Sequence, residues 1–172
     1  MEQLWAPWRM AYLSGGERAD GCFLCALGAG GAPGGPDDLV VWRGERVFAL
    51  LNAYPYANGH LMVAPIAHEG ELDRLERRTA AELIAAVQRM VRTLRRTYGP
   101  EGFNVGANLG AAAGAGFGDH LHLHVVPRWR GDTNFMTTTA GTRVIPEALG
   151  DTARRLREAI AEGAADERGE DL

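Results

Sequence analysis

His120-Leu121-His122-Leu123-His124-Val125-Val126 (HLHLHVV, residues 120–126) places three of the chain's five histidines at every second position. Side chains alternate across a strand, so this spacing predicts a strand with His120, His122 and His124 on one face. Leu121, Leu123 and Val125 share the other face, which goes to the core. Adjacent imidazoles are then about 6.5–7 Å apart along the strand. The imidazole face is not ordinary core, because three buried polar rings would each need a partner. A row of this kind serves metal binding by neutral ring nitrogens. It serves equally a nucleophilic or acid–base site, where one ring attacks and its neighbours fix its tautomer and charge. Spacing alone leaves both open.

Composition narrows the setting. At 172 residues, with 46% hydrophobic and 23% charged residues, the chain has the balance of one soluble globular domain with its own core. A net charge of -4 gives no broad attraction to nucleic acid or to an anionic membrane, so neither is expected as a partner. A phosphate-bearing ligand must therefore be held by a local site. All 18 basic residues are arginine, which excludes lysine-dependent phosphate binding and Schiff-base chemistry. No apolar run approaches the roughly 20 residues of a membrane span. The opening MEQLWAPWRMAYL lacks the basic-then-apolar order of a signal peptide, so a cytoplasmic location is expected.

Along the chain, residues 1–13 form an apolar, aromatic arm suited to packing on the domain or on a partner subunit. ALGAGGAPGGPDD (26–38) reads as a Gly/Pro-rich loop without regular structure. LVVWRGERVFALLN (39–52) predicts two short strands about Gly44, and HLMVAP (60–65) a third. Between Thr79 and Thr97 the period changes: Leu83, Ile84, Val87, Met90, Val91 and Leu94 recur at three- and four-residue steps. This is an amphipathic helix with a solvated arginine face, ended by Gly99-Pro100. GFNVGANLG (102–110) resumes as a strand, and a polar helix over 147–161 leads into an acidic tail that is expected to fray. Short strands, hairpin-scale connections and one dominant helix predict an α+β fold, an antiparallel sheet covered by helix on one face. Residues 1–150 are expected to form the domain, and 151–172 the end of the C-terminal helix with the acidic tail.

The surroundings of the histidine row favour a nucleotide. A Gly/Ala loop (111–118) precedes it and lets backbone N–H groups approach an anion. LNAYP and FNVGANLG each offer an Asn suited to the hydroxyls and oxygens of a nucleotide. HLHLHVV, with FALLNAYPYANGHLMVAP (48–65) and GFNVGANLG upstream, resembles the signature blocks of the histidine-triad (HIT) superfamily. LWAPWRMAYL and GDTNFMTTTAGTRVIP are similar to segments of its bacterial branch that includes diadenosine tetraphosphate phosphorylases.

The resemblance implies a HIT-like fold, with one long helix and a shorter C-terminal helix on the sheet, in a homodimer. It implies an enzyme in which His122 attacks the α-phosphorus of an adenine nucleotide, and water or phosphate releases the nucleotidyl-histidine. His124 would hold the phosphate oxygens, His60 would support the row by hydrogen bonding, Asn52 would contact the ribose, and Asn108 would lie near the phosphate. Gly116 and Phe117 would line the substrate where many family members carry Gln or Ser/Thr. Diadenosine tetraphosphate is the implied substrate. The alternatives are a purine nucleoside phosphoramidate, or a zinc-stabilised nucleotide-binding protein with weak turnover. Some bacterial members bind zinc through a C-x-x-C and two histidines; here these positions are Cys22, Cys25, His68 and His120. Two thiolates and two imidazoles form the closed set of a structural zinc. By itself the C-x-x-C is compatible with two free thiols or a redox pair.

Overall fold

The computed structural model describes residues 21–30, 38–114, 119–132 and 145–169, the last with side chains to residue 164. The described residues include five strands, β1 (Val40–Arg43), β2 (Val47–Leu51), β3 (Leu61–Pro65), β4 (Gly102–Gly106) and β5 (Leu123–Arg128), with one long helix between β3 and β4. They form one antiparallel sheet in the order β1-β2-β3-β5-β4. Among the described residues the α-helices are α1 (Phe23–Gly28), α2 (Arg77–Tyr98) and α3 (Leu149–Gly169). None of them is long and apolar enough to cross a membrane.

The period expected of α2 is the one it uses. Leu83, Val87, Met90 and Leu94 are buried against the sheet residues Val47, Leu51, Leu61, Val63 and Val125. Each such side chain contributes about 1.5–3 kcal/mol relative to its exposed state. Gly99 takes the left-handed conformation (φ 57°) and donates its N–H to the Arg95 carbonyl, closing the helix before Pro100. Ile84 departs from the expectation: it is 53% exposed, one position off the buried stripe. The arginine face is not purely solvated either, since the guanidinium of Arg89 lies over Trp42 and that of Arg95 over Phe103.

The sheet is covered on both faces, which corrects the expectation of one. On the second face α1 buries Leu24 against Val40, Phe48, Leu50, Met62 and Ala64. Residues 26–28, expected within a loop, are the last turn of α1; Gly28 fits there because a Cβ would stand 3.3 Å from the Phe48 ring. This helix reaches only across β1–β3. Over β5 and β4 the second face carries His124, Val126 and, from the register partner strand, Asn104 and Gly106. Helix α3 runs through Gly169, so much of the tail expected to fray is helical. The expected boundary at 150/151 falls inside it, and its Ala153, Leu156 and Ile160 join the main core. The apolar N-terminal arm lies outside the described residues.

Candidate active site and metal-ligand cluster

The ladder of β5 begins at Leu123, three residues later than the sequence pattern predicts. His124 is on the strand, paired with Met62 across β3. His120 and His122 precede it, in a segment tied instead by the Leu121 N–H to the Glu69 carbonyl at 2.7 Å. The three rings therefore diverge. His120 is 1% exposed and His122 8%, whereas His124 is half-buried and faces a cleft of about 940 Å³.

Backbone groups fix which nitrogen of each ring carries a proton. The Tyr56 N–H can only donate, and it points to His60 Nδ1 at 3.0 Å. His60 Nε2–H then donates to His124 Nδ1, also at 3.0 Å. His124 is left with an N–H at Nε2. His122 has the opposite arrangement: its Nδ1–H donates to the His120 carbonyl at 2.9 Å, so Nε2 carries the lone pair. Burial, then the neighbouring His122, pushes the His124 imidazole down to about 4, so it is neutral near pH 7. Its ring meets that of His122 edge-on, with centroids 5.1 Å apart. One ring thus presents a lone pair and its neighbour a hydrogen-bond donor.

His60, fully buried, is held by a turn whose last residue, Gly59, has φ 73°. A Cβ there would stand 2.9 Å from Leu94 Cδ2, so the turn that delivers His60 requires glycine. Asn52 lies at the end of β2, where its Oδ1 accepts the Tyr54 N–H at 2.9 Å, and it is half-buried. Asn108 lines the cleft with His124, its Nδ2 3.4 Å from the Gly114 carbonyl. Gly116 and Phe117 lie outside the described residues. The cleft adds residues that sequence reasoning did not name: Tyr56, Asn58, Arg128 and Trp129. Asn58 Oδ1 is buried without a hydrogen-bond partner among the described residues. Arg128 follows His124 at two-residue steps along β5, a spacing that could have revealed it; its charge is met by Asp132 at 2.5 Å.

Cys22, Cys25, His68 and His120 converge on the other side of the row, with one donor atom of each within 4.8 Å of the others. Cys22 Sγ is 3.2 Å from His120 Nδ1, and Cys25 Sγ is 3.2 Å from His68 Nδ1 and 3.5 Å from His120 Nδ1. The donor chemistry fits a zinc ion. His120 Nε2–H donates to the Pro65 carbonyl at 2.8 Å, which leaves Nδ1 unprotonated toward the thiols. Burial holds His120 below its ordinary value and so favours the neutral ring a metal requires. Burial, followed by the Cys22 thiol, pushes the Cys25 thiol up; a bound cation would reverse that effect.

Residues 35–131 match the HIT domain family. The chain belongs to the HIT family. It is 43% identical over 166 residues to AP-4-A phosphorylase of Mycobacterium tuberculosis, covering 91% of this chain and 83% of that protein. Its fold is similar to the crystal structure of a Zn-bound histidine triad family protein from Mycobacterium smegmatis (TM-score 0.67, 31% identity, 84% of this chain and 96% of that one). It is also similar to a HIT family member from Bacillus subtilis (TM-score 0.56, 25% identity, 86% and 96%). The antiparallel sheet with its long and C-terminal helices is thus a HIT-like fold.

Proposed function

We propose that the chain is a nucleotidyl-transferring enzyme that cleaves diadenosine tetraphosphate at an α-phosphate. The observation that carries this reading is the pairing of opposite tautomers in neighbouring rings. His122 Nε2 has a lone pair fixed by the His120 carbonyl, and His124 Nε2 has an N–H fixed by the Tyr56–His60 chain. A phosphorus centre between them meets a nucleophile from one ring and a donor to its oxygens from the other. His122 Nε2 attacks the α-phosphorus, a P–N bond forms, and the P–O bond to the β-phosphate breaks, releasing ATP. An oxygen of phosphate or water then attacks the same phosphorus; the P–N bond breaks and its electron pair returns to Nε2. Phosphate as acceptor gives ADP, and water gives AMP.

In this reading Asn52 and Asn108 hold the nucleotide, and His60 acts by fixing His124. Zinc would be held by Cys22, Cys25, His68 and His120, and supplies a rigid four-donor anchor rather than a reacting group. A homodimer working in the cytoplasm belongs to the same reading through the family resemblance. The name of the Mycobacterium tuberculosis relative supports the choice of substrate and of phosphate as acceptor.

The test is turnover of diadenosine tetraphosphate by wild type and His122→Asn, with and without phosphate. ADP plus ATP formed only with phosphate is the expected result. AMP plus ATP makes the enzyme a hydrolase, and turnover of an adenosine phosphoramidate alone replaces the substrate. Equal rates in mutant and wild type remove His122 as nucleophile.

A further inference from the structure

We infer that the Cys/His cluster governs the tautomer and orientation of His122, through the single peptide unit that joins His120 to Leu121. This rests on the reading of His122 as nucleophile and of the cluster as a zinc site.

Both polar groups of that peptide unit are committed. Its C=O, from His120, accepts the His122 Nδ1–H at 2.9 Å. Its N–H, from Leu121, donates to the Glu69 carbonyl at 2.7 Å. Each attachment leads back to the cluster. The His120 ring contributes Nδ1 to it, and Glu69 directly follows His68, whose Nδ1 is 3.2 Å from Cys25 Sγ. The β5 ladder begins only at Leu123 and does not hold this peptide. Its plane is therefore set by His120 on one side and by the His68–Glu69 segment on the other. The His120 ring is itself anchored at its far nitrogen by the Pro65 carbonyl on β3.

The consequence lies at His122. With the peptide plane fixed, the carbonyl points at Nδ1, the proton stays there, and Nε2 keeps its lone pair. When the four donors are not drawn together, thiol–imidazole hydrogen bonds take the place of coordination at His68 and His120, and the Pro65 carbonyl holds only the far nitrogen of the His120 ring. The peptide can then tilt, and a His122 without its acceptor is free to carry its proton on Nε2, where it blocks attack. His120 is accordingly a positioning residue, and metal occupancy acts on the nucleophile through its backbone.

The experiment is ¹⁵N-histidine NMR of the zinc-loaded and chelator-stripped protein, with single-turnover measurement of nucleotidyl-histidine formation. In the loaded protein His122 should show one tautomer, protonated at Nδ1. Stripping should give a mixture or a broadened ring, with formation slowed tenfold or more and substrate Kd changed less than twofold. A stripped, folded protein that keeps the pure Nδ1–H tautomer and an unchanged formation rate overturns the inference. So does purified protein that neither contains nor takes up zinc. If stripping unfolds the chain, His68→Asn replaces it, since His68 is the exposed ring of the four. Its His122 tautomer should recover in step with added zinc, and a tautomer independent of occupancy again overturns the inference. Inactivity of His122→Asn is a separate result: it holds or fails without regard to the metal, and so tests the proposed function alone.

Discussion

The two ends of HLHLH start from the same residue type at the same spacing and arrive at opposite environments. On the cysteine side, His120 is buried, donates its Nε2–H to the Pro65 carbonyl, and turns an unprotonated Nδ1 to a closed group of donors. On the cleft side, His124 receives a proton donor at Nδ1 from His60 and turns an N–H to open space. His122 stands between them, bonded to the backbone of the first and edge-on to the ring of the second. An imidazole's use is decided by whatever holds its second nitrogen. A carbonyl there yields a lone pair for attack or coordination; a donor there yields a donor for an anion.

The sharpest way to break this comparison is at its centre. His122→Asn is expected to lower turnover of diadenosine tetraphosphate by about 10⁴-fold or more, on the order of 5 kcal/mol in the barrier. Zinc content and melting temperature should stay near wild type. A parallel loss of metal would show that the two sides are not separable at this residue.

The cysteine side should fail differently. Cys22→Ser combined with Cys25→Ser removes two of the four donors and is expected to abolish stoichiometric zinc. A ligand present at a hundredfold its Kd stabilises the fold by about 2.7 kcal/mol. For a chain of this size the melting temperature should therefore fall by about 5–10 °C, read by calorimetry against metal-loaded wild type. An unchanged melting temperature in a zinc-free variant would leave the cluster without a role in stability.

A smaller effect should follow on the cleft side from His60→Phe, which keeps a ring against Tyr56 but removes the donor to His124. His124 is then free to protonate Nδ1 and present a lone pair to phosphate oxygens. Turnover should drop about 10–100-fold, corresponding to loss of roughly 1.4–2.7 kcal/mol of transition-state stabilisation, with zinc content unchanged. Wild-type kinetics in this variant would mean that His124 does not depend on the Tyr56–His60 chain.

Much of this arrangement was legible in the sequence, and the parts that were not share a cause. The alternation placed His124 on the face opposite Leu123 and Val125, the Val/Phe/Leu content marked β2 and the apolar run before Pro65 marked β3, and three- and four-residue steps located α2 because burial enforces them. Alternation could not show where the ladder starts. His120 and His122 lie outside it, and their roles come from the carbonyls of Pro65 and His120, as that of His124 comes through His60 from the N–H of Tyr56. Backbone atoms carry no sequence signal. Helix α1 was hidden for a related reason: Ala26, Leu27 and Gly28 have the composition of the loop that follows, and it is the docking of Leu24 against the second sheet face that makes them helical. The four residues of the Cys/His cluster were legible as a group only through the family resemblance, since 98 positions separate Cys22 from His120.

The finest test of the cleft side is its response to acid. The His124 pKa of about 4 in the folded chain, against an ordinary 6.5, comes chiefly from burial, with His122 adding to it. Above pH 6.5 the ring is neutral in both folded and unfolded chains, and its contribution does not vary with pH. Between 6.5 and 4 the unfolded chain takes up a proton here that the folded chain does not. Stability should then fall with falling pH by at most about 1.4 kcal/mol per pH unit from this ring. Below about 4 both states are protonated and the slope ends. Urea unfolding of wild type and His124→Asn from pH 7.5 to 4.5 isolates the effect: the variant should lose about one proton's worth of slope in that window and none above it. Identical slopes would mean that His124 titrates normally in the folded protein. The neutral donor that distinguishes it from His122 would then be confined to pH values above its ordinary range.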